Sequence, residues 1–273
     1  MGIKTSSEVK TIMSSNDIPE NYKYYWNYQY ELGKQFIVPY SLDSGCFKRG
    51  DNVFEVGSAE GGVLAAFVQA GGKEATGTDI AMDRIEMGQR IANILGLNIK
   101  FSSHNIITEN IPKEWENNFD LVLLRDVIEH LDDTDLALAN IRRIIKPGGF
   151  LFVSFPPYYS AFGGHQHTLG NVLGKLPFIH FLPNVIFQKM ISNGRDADIQ
   201  EVRRLQKIKL TTRKFEDASN MNGFSLYKRE FYLLRPVYKM KFGLPTIKLT
   251  SISSLPFIKN YLSMEALYIL QKH

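Results

Sequence analysis

The sequence predicts a doubly wound α/β fold with a mostly parallel sheet, and three observations carry that reading. Strand-like and helix-like segments alternate from about residue 50 to 156. A glycine-bearing turn, Glu55-Val56-Gly57-Ser58-Ala59-Glu60-Gly61-Gly62, joins the first strand to the first helix. An acidic residue, Asp79, closes the second strand-like run. Strands alternating with helices pair in parallel through right-handed crossovers, and such sheets bind ligands at the carboxyl ends of their strands.

Residues 51–56 read as a short buried strand and 61–70 as the helix after it. Residues 75–79 give a second strand, and 83–95 place Ile85, Ile91, Ile94 and Leu95 at helical spacing. A third strand falls at 99–102 and a fourth at 119–124. Leu136, Ile141, Ile144 and Ile145 mark a helix ended by Lys146-Pro147-Gly148-Gly149, and 150–155 is the fifth strand. Residues 157–210 break the rhythm, rich first in Gly, Pro and aromatics and then in Arg and Lys, as expected of a lid insertion. A helix over 211–221 stops at Asn222-Gly223, and strand-like runs at 224–234 and 266–270 bring the sheet to seven strands. The Tyr- and Trp-rich N-terminal part is expected to be a helical cover. The chain thus divides into a cover (1–48), a core (49–156), a lid that binds acceptor (157–210) and a C-terminal part completing the sheet (211–273).

At 273 residues, one large domain with an insertion fits the length. Apolar residues at 44% and charged residues at 22% are the mixture of an ordinary globular protein. The single cysteine, Cys46, forms no internal disulfide, and no charged-then-apolar leader opens the sequence, so a cytoplasmic protein is expected. The most apolar stretch, 176–187, carries Pro177, His180, Pro183 and Asn184 and falls short of the ~20 residues that span a bilayer. Met1-Gly2-Ile3-Lys4-Thr5-Ser6 formally fits an N-myristoylation pattern, a match loose enough to arise by chance. A net charge of +4 is smaller than the clustered excess that grips a nucleic-acid backbone, which disfavours that partner.

Small residues in the glycine turn let backbone approach a ligand closely, and the following helix offers unpaired N–H groups. Gly57-x-Ala59-x-x-Gly62 also satisfies a relaxed dinucleotide fingerprint, so the turn alone names no cofactor. Asp79, 22 residues past Gly57, is placed to accept both hydroxyls of a ribose, its simpler reading being a helix cap. Together the two features point to an adenosine.

Four motifs in order then make the sequence resemble class I S-adenosylmethionine-dependent methyltransferases of the small-molecule type, over roughly 49–156 with a return at 211–271. The family's first motif resembles Glu55-Val56-Gly57-Ser58-Ala59-Glu60-Gly61. Its ribose-binding acid falls on Asp79 and its adenine-side polar residue on Asn105, within Ser103-His104-Asn105-Ile106. Its fourth-strand segment resembles the run from Phe119 through Arg125-Asp126-Val127-Ile128-Glu129-His130-Leu131, and its later turn resembles Lys146-Pro147-Gly148-Gly149. The resemblance implies a Rossmann-like fold and S-adenosyl-L-methionine as cofactor, held by Glu55, Gly57, Ser58, Ala59, Gly61, Asp79, Ile80, Asn105, Ile106 and Arg125. Ala59 stands where a glycine is commoner, which suits a negative φ; Asn105 stands where an Asp is commoner and offers a donor and an acceptor. A nicotinamide-dependent oxidoreductase is the alternative for this fold, but Glu55 is awkward beside a pyrophosphate. A catalytically silent cofactor-binding module and a nucleic-acid methyltransferase are further contrasts.

The segment after the fifth strand, from Phe155 to His167, is expected over the methyl-donor pocket. His165, His167 and Tyr158 are its candidate catalytic residues, since histidines with a reference pKa near ~6.5 suit proton removal. The histidines read equally well as structural loop residues. As a metal pair they lack a nearby Cys or carboxylate, so no metal is expected. Pro156-Pro157-Tyr158 follows the fifth strand, whereas the Asx-Pro-Pro-Tyr signature of amino-group methyltransferases follows the fourth, so that role is not transferred. His130, expected at the start of the helix after the fourth strand, reads as a structural or pocket-wall residue. The run 176–183 is an acceptor wall, a membrane-surface contact or a packed cover. The basic run Arg203, Arg204, Lys207, Lys209, Arg213 and Lys214 is a solvated helix face or a site for phosphate or a glycan acid. The expected function is methyl transfer to a small or carrier-linked metabolite at oxygen, on a sugar or quinone-like hydroxyl, with peripheral membrane contact if the acceptor is lipid-linked.

Overall fold

The computed structural model describes residues 6–169, 172–192, 194–250 and 256–273. Most of the N-myristoylation pattern lies outside the described residues. An N-terminal helical layer comprises α1 (Ser7–Ser14), α2 (Glu20–Leu32), a π turn (Gly33–Ile37) and α3 (Val38–Asp43). The alternating core follows as β1 (Asn52–Val56), α4 (Gly62–Gln69), β2 (Glu74–Asp79), α5 (Met82–Leu95), β3 (Ile99–Ser103), β4 (Phe119–Arg125), α6 (Thr134–Ile144) and β5 (Ile145–Phe155). After β5 come α7 (Asn184–Ile191), α8 (Asp196–Ile208) and α9 (Thr212–Met221). The chain closes with β6 (Phe224–Leu234), α10 (Val237–Phe242), β7 (Ile247–Lys248), α11 (Pro256–Tyr261) and β8 (Glu265–Lys272).

The sheet order is β3-β2-β1-β4-β5-β8-β6-β7. Pairing is parallel from β3 to β5 and antiparallel from β5 through β8 and β6 to β7. The sheet therefore has eight strands and not seven: the extra one, β7, is a two-residue edge strand too short to leave a period in the sequence. The turn Lys146-Pro147-Gly148-Gly149 lies inside β5, where pairing with β4 shifts register between Phe119 and Leu121. The helix after β4 also starts later than expected. Ile128–His130 is a single 3-10 turn, and α6 opens behind Asp133, whose carboxylate accepts the Leu136 N–H.

The central strands are buried on both faces, which explains their unbroken apolar runs. In β4, Leu121 and Leu123 face the core beneath the N-terminal helices and α4, while Val122 and Leu124 face the core beneath α6 and α9. The segment between β5 and α9 has a small core of its own, formed by Leu169, Ile179, Phe187, Ile191, Ile199 and Val202. Its run 176–183 leaves Leu176, Phe178, Phe181 and Leu182 partly in solvent. Among the described residues no helix is long and apolar enough to cross a membrane.

Candidate functional site

A cavity of about 880 Å³ opens over the carboxyl ends of the parallel strands, within the range of small-molecule sites. One wall is the glycine turn. Gly57 has φ +70°, and a Cβ there would stand 2.3 Å from Cγ2 of Val127, so only glycine lets the β4 loop close over the turn. Gly61, at φ +73°, caps α4 beneath Phe101. Ala59 does not have the negative φ expected of it: at φ +47° it sits in the left-handed region. It is held there because its N–H donates to Oδ2 of Asp79 at 3.0 Å. Oδ1 of Asp79 accepts the Ala81 N–H at 3.0 Å, so this carboxylate both ties down the start of α5 and lines the cavity.

Deeper in the turn, Glu55 is buried and paired through Oε1 with Nε of Arg125 at 3.2 Å, while its Oε2 has no hydrogen-bond partner. Burial pushes its carboxyl up to about 7 against the pull of Arg125. Gly57, Ala59, Asp79, Ile80, Asn105, Ile106 and Arg125 all line the cavity; Glu55, Ser58 and Gly61 stand behind it. Asn105 does not keep its acceptor free, since Oδ1 takes the N–H groups of Ile107 and Thr108 at 3.0 and 3.3 Å. The neighbouring His104, never singled out in the sequence, lines the cavity with a buried Nε2 that lacks a partner.

Aromatic rings of α2 cover this half. Tyr25 and Tyr28 line the cavity, Arg84 stacks 4.5 Å above Tyr25, and Lys241 stands 4.3 Å above Tyr28. On the opposite side Asp126, at φ +52°, receives Nη2 of Arg235 on both oxygens at 2.6 Å. Burial raises the Asp126 carboxyl, but Arg235 outweighs it and holds the group below the usual carboxylate range. Nε of Arg235 donates to Glu265 at 2.9 Å, which fastens β8 to the same wall.

Of the three candidate catalytic residues, His165 and His167 line the cavity and Tyr158 does not. Tyr158 is packed between Tyr159 and His180, its N–H donating to the Leu210 carbonyl, and burial pushes its hydroxyl up to about 12. His165, at φ +53°, turns toward His130, the ring centroids 4.8 Å apart. Burial lowers both His165 and His167 below the ordinary imidazole value.

The expectation that no carboxylate stands near these histidines is overturned. Oε1 of Glu129 lies 3.8 Å from Nε2 of both His130 and His165. Glu129 is 2% exposed, and neither of its carboxylate oxygens meets a donor. Burial pushes its carboxyl up to about 8. Glu129 and His130 were legible as a pair in the β4 motif. Their meeting with a residue of the later loop leaves no local pattern, and neither does the pairing of Asp126 with Arg235.

Residues 54–151 match a family model described as a methyltransferase domain. Among curated proteins, the chain is 31% identical over 156 residues to a ubiquinone biosynthesis O-methyltransferase of Coxiella burnetii, covering 54% of this chain and 64% of the relative. It is 27% identical over 137 residues to phosphoethanolamine N-methyltransferase 2 of Caenorhabditis elegans, covering 46% of this chain and 30% of the relative. The chain thus spans less than two thirds of either relative. A solved S-adenosylmethionine-dependent methyltransferase from Mesorhizobium loti shares the fold with a TM-score of 0.53 at 13% identity, covering 82% of this chain and 92% of that one.

Proposed function

We propose that the protein, whose residues 54–151 match a methyltransferase-domain model, is a class I S-adenosylmethionine-dependent methyltransferase that methylates a small or carrier-linked metabolite at oxygen, using S-adenosyl-L-methionine as donor. The observation that carries the reading is the continuity of the cavity. One space joins the glycine turn and Asp79 to His165, His167 and Arg235, so donor and acceptor share an enclosure.

The residues fit the donor. The Gly57–Ala59 backbone allows close approach, and each oxygen of Asp79 keeps a lone pair for a ribose hydroxyl beyond its one backbone bond. Ile80, Ile106, the amide of Asn105 and the unpartnered Nε2 of His104 suit an adenine ring and its polar edge. Arg125, backed by Glu55, suits the carboxylate of the amino-acid tail. When bound, the donor supplies an electrophilic methyl on a sulfonium sulfur that becomes neutral on transfer. The protein contributes alignment of the acceptor and a site shielded from water. His165 and His167 contact the acceptor, one of them taking the hydroxyl proton. The segment 157–210 acts as the lid that holds it. Oxygen is favoured because the 31%-identical relative is an O-methyltransferase.

The test is to titrate the protein with S-adenosylmethionine by calorimetry, then incubate it with methyl-labelled donor and fractionated cell extract. Saturable donor binding and label on an oxygen of a small metabolite are expected. Donor binding with no labelled product would leave a cofactor-binding module, and tighter binding of NADH would overturn the reading.

A further inference from the structure

Among the described residues Glu129 stands out, because a buried carboxylate ordinarily collects two or more donors and neither oxygen of this one has a hydrogen-bond partner. Its Oε1 instead faces two imidazole nitrogens, each 3.8 Å away. The ligating atoms of Glu129, His130 and His165 all lie within 4.8 Å of one another. Two histidine nitrogens and one carboxylate oxygen are a donor set for a divalent transition metal. Bond lengths of about 2.0–2.2 Å put neighbouring ligand atoms roughly 3–3.5 Å apart, so modest side-chain rotations bring these three onto one ion.

The surroundings support the same assignment. Nδ1 of His130 is bonded to Oε1 of Glu201 on α8, which leaves Nε2 as the outward, metal-facing nitrogen. A carboxylate behind a ligating histidine is the usual outer partner that fixes its tautomer and orientation. His165 is presented from a left-handed backbone position, a strained arrangement that its loop must hold in place. His130 and His165 both line the cavity, so positions on an ion not filled by protein would open toward the acceptor.

We propose that Glu129, His130 and His165 form a divalent transition-metal site, oriented by Glu201, whose open positions take oxygen atoms of the acceptor. The metal site stands on its own geometry; its service to an acceptor hydroxyl rests on the methyltransferase reading. A cation there makes a coordinated hydroxyl easier to deprotonate and leaves His167, which lines the same cavity, as the histidine free to touch the acceptor and take that proton.

The test uses the full chain, stripped with chelator and titrated with Co²⁺ alone and with Zn²⁺ alone, followed by visible absorption and calorimetry, with S-adenosylmethionine binding measured on the same samples. One equivalent per chain is expected, with a cobalt ligand-field band of nitrogen and oxygen ligation. Glu129→Gln and His165→Ala should each weaken binding at least tenfold, and Glu201→Gln by roughly 10- to 100-fold, while donor affinity stays at the wild-type level and certifies the fold. No stoichiometric binding, or binding unchanged in Glu129→Gln and His165→Ala, overturns the site. Metal bound without any donor binding would keep the site and overturn the methyltransferase reading instead.

Discussion

At the residue scale, the cofactor turn shows what a motif reveals and what it conceals. Gly57 and Asp79 both line the cavity, because both are fixed by the local βα geometry. The conformation of Ala59 was not legible, since its positive φ is imposed by a hydrogen bond to a residue twenty positions away. An alanine in the left-handed region costs about 1–2 kcal/mol, partly offset in glycine by its freer unfolded chain. Ala59→Gly is therefore expected to stabilise the protein by up to about 1 kcal/mol in chemical denaturation, and a loss of stability would show that the methyl group packs usefully. Asp79→Ala removes the ribose acceptor and the tie to Ala59, so donor affinity should fall by roughly 10- to 100-fold, the equivalent of about 1–3 kcal/mol; unchanged affinity by calorimetry would sink the assignment. Glu55 adds a pH dependence. Its folded-state pKa of about 7 lies above the ordinary 4.5, so the folded state holds the extra proton between those values. By linkage its contribution to stability is full below about 4.5 and is lost as pH rises through about 7. The melting temperature of donor-free protein should decline across that window, and Glu55→Gln should flatten the decline.

At the element scale, the parallel strands were readable because burial on both faces writes an unbroken apolar run into each, as in Leu121-Val122-Leu123-Leu124. The two-residue β7 and the 3-10 turn of Ile128–His130 are too short to carry a period, which is why one strand and one helix start escaped. The segment between β5 and α9 was legible only as a break in rhythm, yet it has its own apolar cluster centred on Phe187. Its separateness makes a prediction. Phe187→Ala, at a fully buried position, removes about 3–5 kcal/mol of packing from that cluster. Because that cluster is separate from the two cores that flank the sheet, the segment should open locally while the sheet persists. Limited proteolysis is expected to cut within 157–210 first, with donor affinity kept and acceptor KM raised; cleavage spread evenly along the chain would show that the segment folds as one unit with the sheet.

At the scale of the whole molecule, the sheet's topology gathers groups that no local pattern could have joined. Arg235, just beyond β6, reaches Asp126 beyond β4, and Glu129 of the β4 loop meets His165 from beyond β5. Each junction sits at the carboxyl end of the parallel strands, where the doubly wound arrangement leaves its crevice. The cavity wall thus draws on α2, the β1, β2 and β4 loops, the segment after β5 and the region around α10. A ligand filling that space touches most of the fold, so its binding free energy is coupled to global unfolding. At one hundred times its dissociation constant, S-adenosylmethionine should add about 2.7 kcal/mol of stability, a rise of roughly 5–10 °C in melting temperature for a chain of this size. NADH at the same concentration should leave the melting curve in place, because its pyrophosphate meets the Glu55 end of the turn. A larger shift with NADH would reassign the cavity to a dinucleotide, and no shift with either would detach the glycine turn from cofactor binding altogether.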